Sequence, residues 1–225
     1  MSHAGPSWLQ RIWRKPEAAI EPRAPADDIV PANAAGSPVH EQTGVPDVSS
    51  KATDEPAAYL GAASIDDIIR VEEVSDAEFF IGDLFRRRFH CNPPNYPRSF
   101  VAFYQPVRSR LEAVGFVHYL AHEDSYLCGG LLIDERRYRQ MPPEHRKVIK
   151  DAGGISEKLL RTTFARLAAA PAIWGYVGDP LAEKVDLRAG FRHTEYQHIM
   201  VYWNKDLPEE EKKRRLAKVV ALGPF

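Results

Sequence analysis

"DAGGISEKLL", residues 151–160, sets two glycines against the start of a helical pattern. Glycine inside a helix costs about 1 kcal/mol relative to alanine, so the pair belongs before the helix rather than within it. Two readings follow. The stretch is an ordinary loop ahead of a helix, or it is a tight loop that bares the first helical amides to an anion. A helix start carries about four unpaired N–H donors and roughly half a positive charge, which is enough to hold a phosphate without a dedicated side chain. Ser156 is small enough not to block such a ligand. Beyond it Ile155, Leu159, Leu160, Thr163, Phe164 and Leu167 share one face, predicting a helix to about Ala169.

Outward from this point the chain is periodic. "IIRVEEV" (68–74) reads as a strand, and "SDAEFFIGDLFRRRF" (75–89) as a helix whose Ser75 and Glu78 have capping-box spacing. The prolines of "NPPNYP" (92–97) break both periods and mark a loop. "SFVAFY" (99–104), "EAVGFVHYLAH" (112–122) and "SYLCGGLLID" (125–134) are candidate strands joined by polar turns, an antiparallel meander. The polar connection 135–150 gains helical turns after Pro143. Past the central helix, "AIWGYV" (172–177) reads as a buried strand, "PLAEKVDLRAG" (180–190) as a helix closed by Gly190, and "HTEYQHIMVYW" (193–203) as the last strand. This is one α/β domain over 61–207, followed by a surface helix within 208–225 whose acids precede its bases as the helix dipole prefers.

The first 60 residues differ in kind. "EPRAPADDIVPANAAGSPVHEQTGVPDVSSKATDEPAA" (21–58) is rich in Pro and Ala and nearly free of aromatics, so it reads as a disordered tail. At its head "SWLQRIWRK" (7–15) is either a short amphipathic helix for weak membrane or protein contact or a frayed end. A formal net charge of -1 gives no basic field for nucleic acid. Cys91 and Cys128 have no paired spacing, so neither a disulfide framework nor a cysteine-rich metal site is expected, and a reducing cytoplasm is the expected setting. No apolar run approaches the roughly 20 residues of a membrane span, and the N-terminus has no apolar core of a secretory signal.

With strand, glycine loop and helix in sequence, followed by "DPLAEKVDLRAGF" (179–191) and a final strand, residues 66–204 resemble the GCN5-related N-acetyltransferase (GNAT) family. That family's phosphate loop has the form Gln/Arg-x-x-Gly-x-Gly/Ala ahead of an aliphatic helix. "DAGGIS" places Gly154 at its central glycine and Ser156 at its small position. The later pattern, Asn-x-x-Ala-x-x-Leu-Tyr-x-x-x-Gly-Phe, is met by Ala182, Gly190 and Phe191. Three positions depart from it: Asp151 stands for Gln or Arg, Asp179 for the asparagine, and Asp186 for the tyrosine that often protonates the leaving thiolate.

The resemblance implies a mixed, mostly antiparallel central sheet flanked by helices. It also implies acetyl-CoA or another acyl-CoA as donor, lying along the fourth strand with its phosphates on Gly153, Gly154, Ile155 and Ser156. Backbone groups of Leu131, Leu132 and Ile133 would line the donor arm, which Gly129 and Gly130 let approach; the same glycines also read as a plain bulge. Arg139 and Lys150 flank the loop and are placed to meet phosphates, or are simply solvated. Acyl transfer to an amine needs a base and a group that protonates what leaves. His118 reads as a base or as a satisfied core histidine; Glu195 and Tyr196 are placed to reach an acceptor groove, and Asp186 stands at the acid's position. The expected activity is N-acylation of a small-molecule or protein amine by direct attack, with homodimerisation open. The rival is a GNAT-like binding or regulatory module without turnover.

Overall fold

The computed structural model describes residues 59–95 and 98–225. The expectations for the N-terminal tail and its helix at 7–15 lie outside the described residues. After a 3-10 turn, Ile65–Asp67, comes β1 (Ile69–Val74), then α1 (Ala77–Phe89), β2 (Arg98–Val107), β3 (Arg110–His122), β4 (Ser125–Cys128) and β5 (Leu132–Ile133). Three helices follow in a row, α2 (Glu135–Gln140), α3 (Pro143–Asp151) and α4 (Ile155–Arg166). The chain ends through β6 (Ala172–Tyr176), α5 (Pro180–Ala189), β7 (Arg192–His193), β8 (Ile199–Trp203) and α6 (Glu209–Val220).

The strands form one mixed sheet in the order β1-β2-β3-β4-β6-β8-β7, with β5 on β3. The β4–β6 pair is parallel and the others are antiparallel. Strand alternation sorts the core onto two faces. Phe100, Ala102, Val117 and Tyr119 pack with Ile149, Leu159, Leu160 and Phe164 of α3 and α4. From the same strands, Val101 and Phe116 turn to the other face and meet Ile81 and Phe85 of α1. Further along that sheet, Trp174, Ile199 and Val201 are covered by Val219 and Phe225. The C-terminal helix is therefore a cover for the sheet and not only a solvated surface element. Its Arg215 and Lys218 pair with Asp124 and Glu123 of the β3–β4 turn.

Several local expectations are corrected. Helix α1 is capped by Asp76, whose carboxylate accepts from Phe79 N at 2.9 Å, so the Ser75–Glu78 box is displaced by one residue. The segment 125–134 is two strands, not one: register against β3 shifts from Tyr119↔Cys128 to Phe116↔Leu132, which inserts one extra residue around Gly129–Leu131. The segment 193–203 is also split, because Thr194 Oγ1 donates to Ile199 O (2.8 Å) and accepts from Tyr196 N (3.2 Å), a local side-chain alternative to the ladder. The polar connection before the glycine loop holds two helices. Asp134 caps α2 by accepting from Arg136 N and Arg137 N, and Pro143 starts α3.

Candidate active site

The glycine pair closes one helix and opens the next. Gly153 N donates to Lys150 O (3.1 Å) and Gly154 N to Ile149 O (2.9 Å), the paired bonds of a Schellman end on α3. Both residues hold left-handed backbones, with φ of +92° and +96°, which an L side chain rarely adopts. Gly154 is then the N-cap of α4 and supplies no side-chain cap, so the first amides of that helix stay open. A Cβ on Gly154 would meet nothing within 4 Å, so the backbone here faces open space. Asp151 does not project an uncompensated charge at this opening, because it pairs with Lys147 at 2.6 Å.

Glu157, in the first turn of α4, is 8% exposed. Its Oε1 accepts from Arg161 Nε (2.9 Å) and its Oε2 from Arg188 Nε (3.0 Å), with Arg188 arriving from α5. Burial pushes this carboxyl up, but the two guanidiniums outweigh burial and hold it below its usual value. Sequence reasoning missed this cluster; the Glu157–Arg161 spacing of four was its visible trace. The predicted phosphate partners lie differently: Arg139 is spent on Glu135 at 3.0 Å, while Lys150 is exposed on the last turn of α3.

The sheet forks beside this loop. Strands β4 and β6 are in register only from Tyr126↔Ile173 to Cys128↔Gly175; beyond that β6 continues on β8, and Val177 N donates to His198 O. The β4 side past Cys128 thus leaves an edge facing the fork. Asp134 N donates to Val114 O across β3, so by alternation the N–H of Ile133 points to the fork and that of Leu132 to β3. Leu132 is buried in the core beneath α1, and Leu131 stands in the break itself. A Cβ on Gly115 would lie 2.8 Å from Ile133 Cδ1 and 3.4 Å from Ile155 Cγ2, which places the start of α4 against the forked strand.

Asp186 is buried on α5 at 8% exposure. Its carboxyl makes no hydrogen bond among the described residues, and burial together with the charge of Glu183 pushes it up to about 7. Burial above all raises the thiol of Cys128 and the phenol of Tyr119, and the charge of Asp186 adds to both, so Asp186 faces the parallel seam. Asp179 caps α5 by accepting from Leu181 N (2.7 Å) and Ala182 N (3.0 Å). An aspartate performs that task as well as the asparagine of the resembled pattern.

His118 lies across the extra residue of the break: a Cβ on Gly129 would stand 2.0 Å from its Nε2. The ring is 3% exposed, and burial lowers its pKa to about 3. It is a neutral imidazole at any physiological pH, too weakly basic to carry a proton from an ammonium group. Glu195 and Tyr196 belong to the β7–β8 loop and line an open cavity of about 370 Å³ with Val177, Glu183, His193 and His198. There His193 Nε2 is 3.3 Å from Glu183 Oε1, and His198 holds Val177 O at 2.9 Å from a left-handed backbone. Among the described residues no group of His, Cys, Asp and Glu could hold a metal ion, and no helix is long and apolar enough to cross a membrane.

No protein-family model and no curated protein matches the sequence. Solved structures do. The ribosomal-protein-S18-alanine N-acetyltransferase from Escherichia coli is 12% identical, covers 63% of this chain and 97% of its own, and gives a TM-score of 0.42. An aminoglycoside 6'-N-acetyltransferase complexed with coenzyme A is 12% identical over 62% of this chain and 99% of its own, with a TM-score of 0.41. A GNAT-family acetyltransferase from Staphylococcus aureus Mu50 is 13% identical over 61% and 99%, with a TM-score of 0.36. The fold is similar to that of GNAT acetyltransferases. The forked seam, the glycine loop and the cavity at the β7–β8 loop are the three parts of the candidate site.

Proposed function

We propose that the protein is an acyl-CoA-dependent N-acyltransferase. One observation carries the reading: a parallel seam that opens into a fork, with uncapped helix amides at the start of α4 and a buried carboxyl, Asp186, facing it that has no hydrogen-bond partner among the described residues. The open amides of α4 suit a pyrophosphate, and the strand edge left by the fork at Gly129–Ile133 suits an extended, amide-bearing arm.

In this reading the N–H of Ile133 donates towards the thioester oxygen, where negative charge develops during attack. The acceptor nitrogen forms the new C–N bond, the C–S bond breaks, and the sulfur takes a proton from Asp186. A carboxyl near 7 is half protonated at neutral pH, which suits an acid that must also be refilled. Asp186 thus takes the task of the tyrosine it replaces, and Glu183 with His193 receives the proton of the acceptor amine. His118 serves as the rigid floor under the break.

The test is calorimetric titration of CoA and acetyl-CoA into the full chain, beside Gly154→Glu. Micromolar binding by the parent and its loss in the variant support the reading; no heat and no thermal shift with either ligand overturn it. Binding without thiol release over a broad amine panel points instead to a sensor that has kept the ligand and lost the reaction.

A further inference from the structure

Resting on that reading, the cavity at the β7–β8 loop bears on which amine is used. Its volume of about 370 Å³ lies at the small end of ligand sites, which commonly run from about 300 to 1,000 Å³. Two carboxylates, Glu183 and Glu195, line it, and among the described residues no lysine or arginine does. Such walls favour cations and repel an acceptor that carries its own carboxylate or phosphate. The two acids are not equivalent. Glu183 lies 3.3 Å from His193 Nε2 and precedes Asp186 by about one helical turn, so it borders the reacting end. Glu195 sits on the β7–β8 loop beside Tyr196, which is 43% exposed and offers a ring face to methylene groups or a cation.

We propose that the acceptor is a compact primary amine with a second cationic nitrogen, a short di- or polyamine, whose reacting end is received at Glu183 while its far ammonium pairs with Glu195. The reaction balances as R–NH3+ and acyl–S–CoA giving the amide, HS–CoA and one proton. The far ammonium takes no part in bond making; it sets the register of the chain in the cavity. That register presents one end nitrogen to the fork and keeps the other out of it, so the product is the mono-acylated amine.

The test compares 1,4-diaminobutane, 1-aminobutane and 4-aminobutanoate as acceptors for the full chain at saturating acetyl-CoA, reading thiol release. The diamine is expected to exceed the monoamine in kcat/KM by about fivefold, the value of one partly exposed ion pair, with aminobutanoate the poorest. Glu195→Gln brings the diamine-to-monoamine ratio towards one, mainly through KM, whereas Glu183→Gln lowers kcat with both. Equal use of diamine and monoamine, a ratio that survives Glu195→Gln, or a preference for aminobutanoate overturns the proposal. If CoA binds and none of the three reacts, this inference falls while the donor site stands; if CoA does not bind, the parent reading falls and takes this one with it.

Discussion

Arg188 Nε lies 3.0 Å from Glu157 Oε2, and the same guanidinium reaches the carbonyl of Gly153 at 3.5 Å. One side chain of α5 thereby holds both the loop and the first turn of α4. Arg188→Ala leaves Glu157 buried with Arg161 alone. Because the guanidinium is half exposed, the cost is expected at about 1 kcal/mol, read as a lower Tm, with a several-fold weaker CoA affinity as the loop loosens.

Glu157 also sets an acid limit. Its folded-state pKa is below the usual 4.5, so its share of stability is present above pH 4.5 and is lost as the pH falls through the lower folded value. Glu157→Gln is expected to lower the urea midpoint at pH 7 and to make it flatter than the parent's below pH 4.5.

Asp186 acts with the opposite sign. Its pKa rises from 3.8 to about 7 on folding, so the folded state binds the proton more tightly and stability falls as the pH climbs between those values. Above pH 7 the native state carries an ionised buried carboxylate at a cost of about 2–4 kcal/mol. Asp186→Asn is expected to raise Tm at pH 8, to change it little at pH 4, and to cut turnover at every pH. Thermal melts across that range, beside a pH–rate profile, check both halves.

The two loop glycines should separate in a stability assay. A Cβ at Gly153 would fall 2.3 Å from Glu157 Oε2, whereas one at Gly154 meets nothing within 4 Å. Gly154→Ala is therefore expected to cost about 1 kcal/mol from backbone strain, and Gly153→Ala about 2–3 kcal/mol because it also displaces the buried carboxylate. Denaturant midpoints with unchanged slope give the comparison.

At the break in the fourth strand, Gly129→Ala must push His118 aside, since the new methyl would sit 2.5 Å from Cδ2. His118→Ala opens a cavity at a buried site. The double variant is expected to be less destabilised than the two single effects summed, a coupling of at least about 1 kcal/mol. Simple additivity would show that the ring does not rest on the glycine.

The elements with strong period were legible in the sequence: α4 from its aliphatic face, β2 and β3 from alternation, α5 from its Pro180 start and Gly190 stop. The two splits were not. A one-residue shift at Gly129–Leu131 leaves the apolar composition unchanged, and the Thr194 bonds that end β7 depend on a partner five residues away. For the site, the glycine loop was readable because its backbone demand restricts residue choice. The Glu157–Arg188 contact and the Glu183–His193 pair join residues brought together only by the packing of α5, and no spacing announces them. His118 was readable as a residue between two functions, and burial decides its protonation.

The parallel seam is three residue pairs long, and among the described residues it is the strand pairing that joins two antiparallel blocks, residues 69–133 and 172–203. The longest connections within the blocks run from Val74 to Arg98 and from Tyr176 to Ile199, while the seam must wait for the longer run from Cys128 to Ala172, with α2, α3 and α4, to bring its strands side by side, so it carries the larger loop-closure entropy and forms late in folding. The last joint to assemble is also the first to open. A ligand lying across it would act as a latch between the blocks, slowing unfolding more than it speeds folding, and resistance to protease would then report occupancy of the fork in a cell extract.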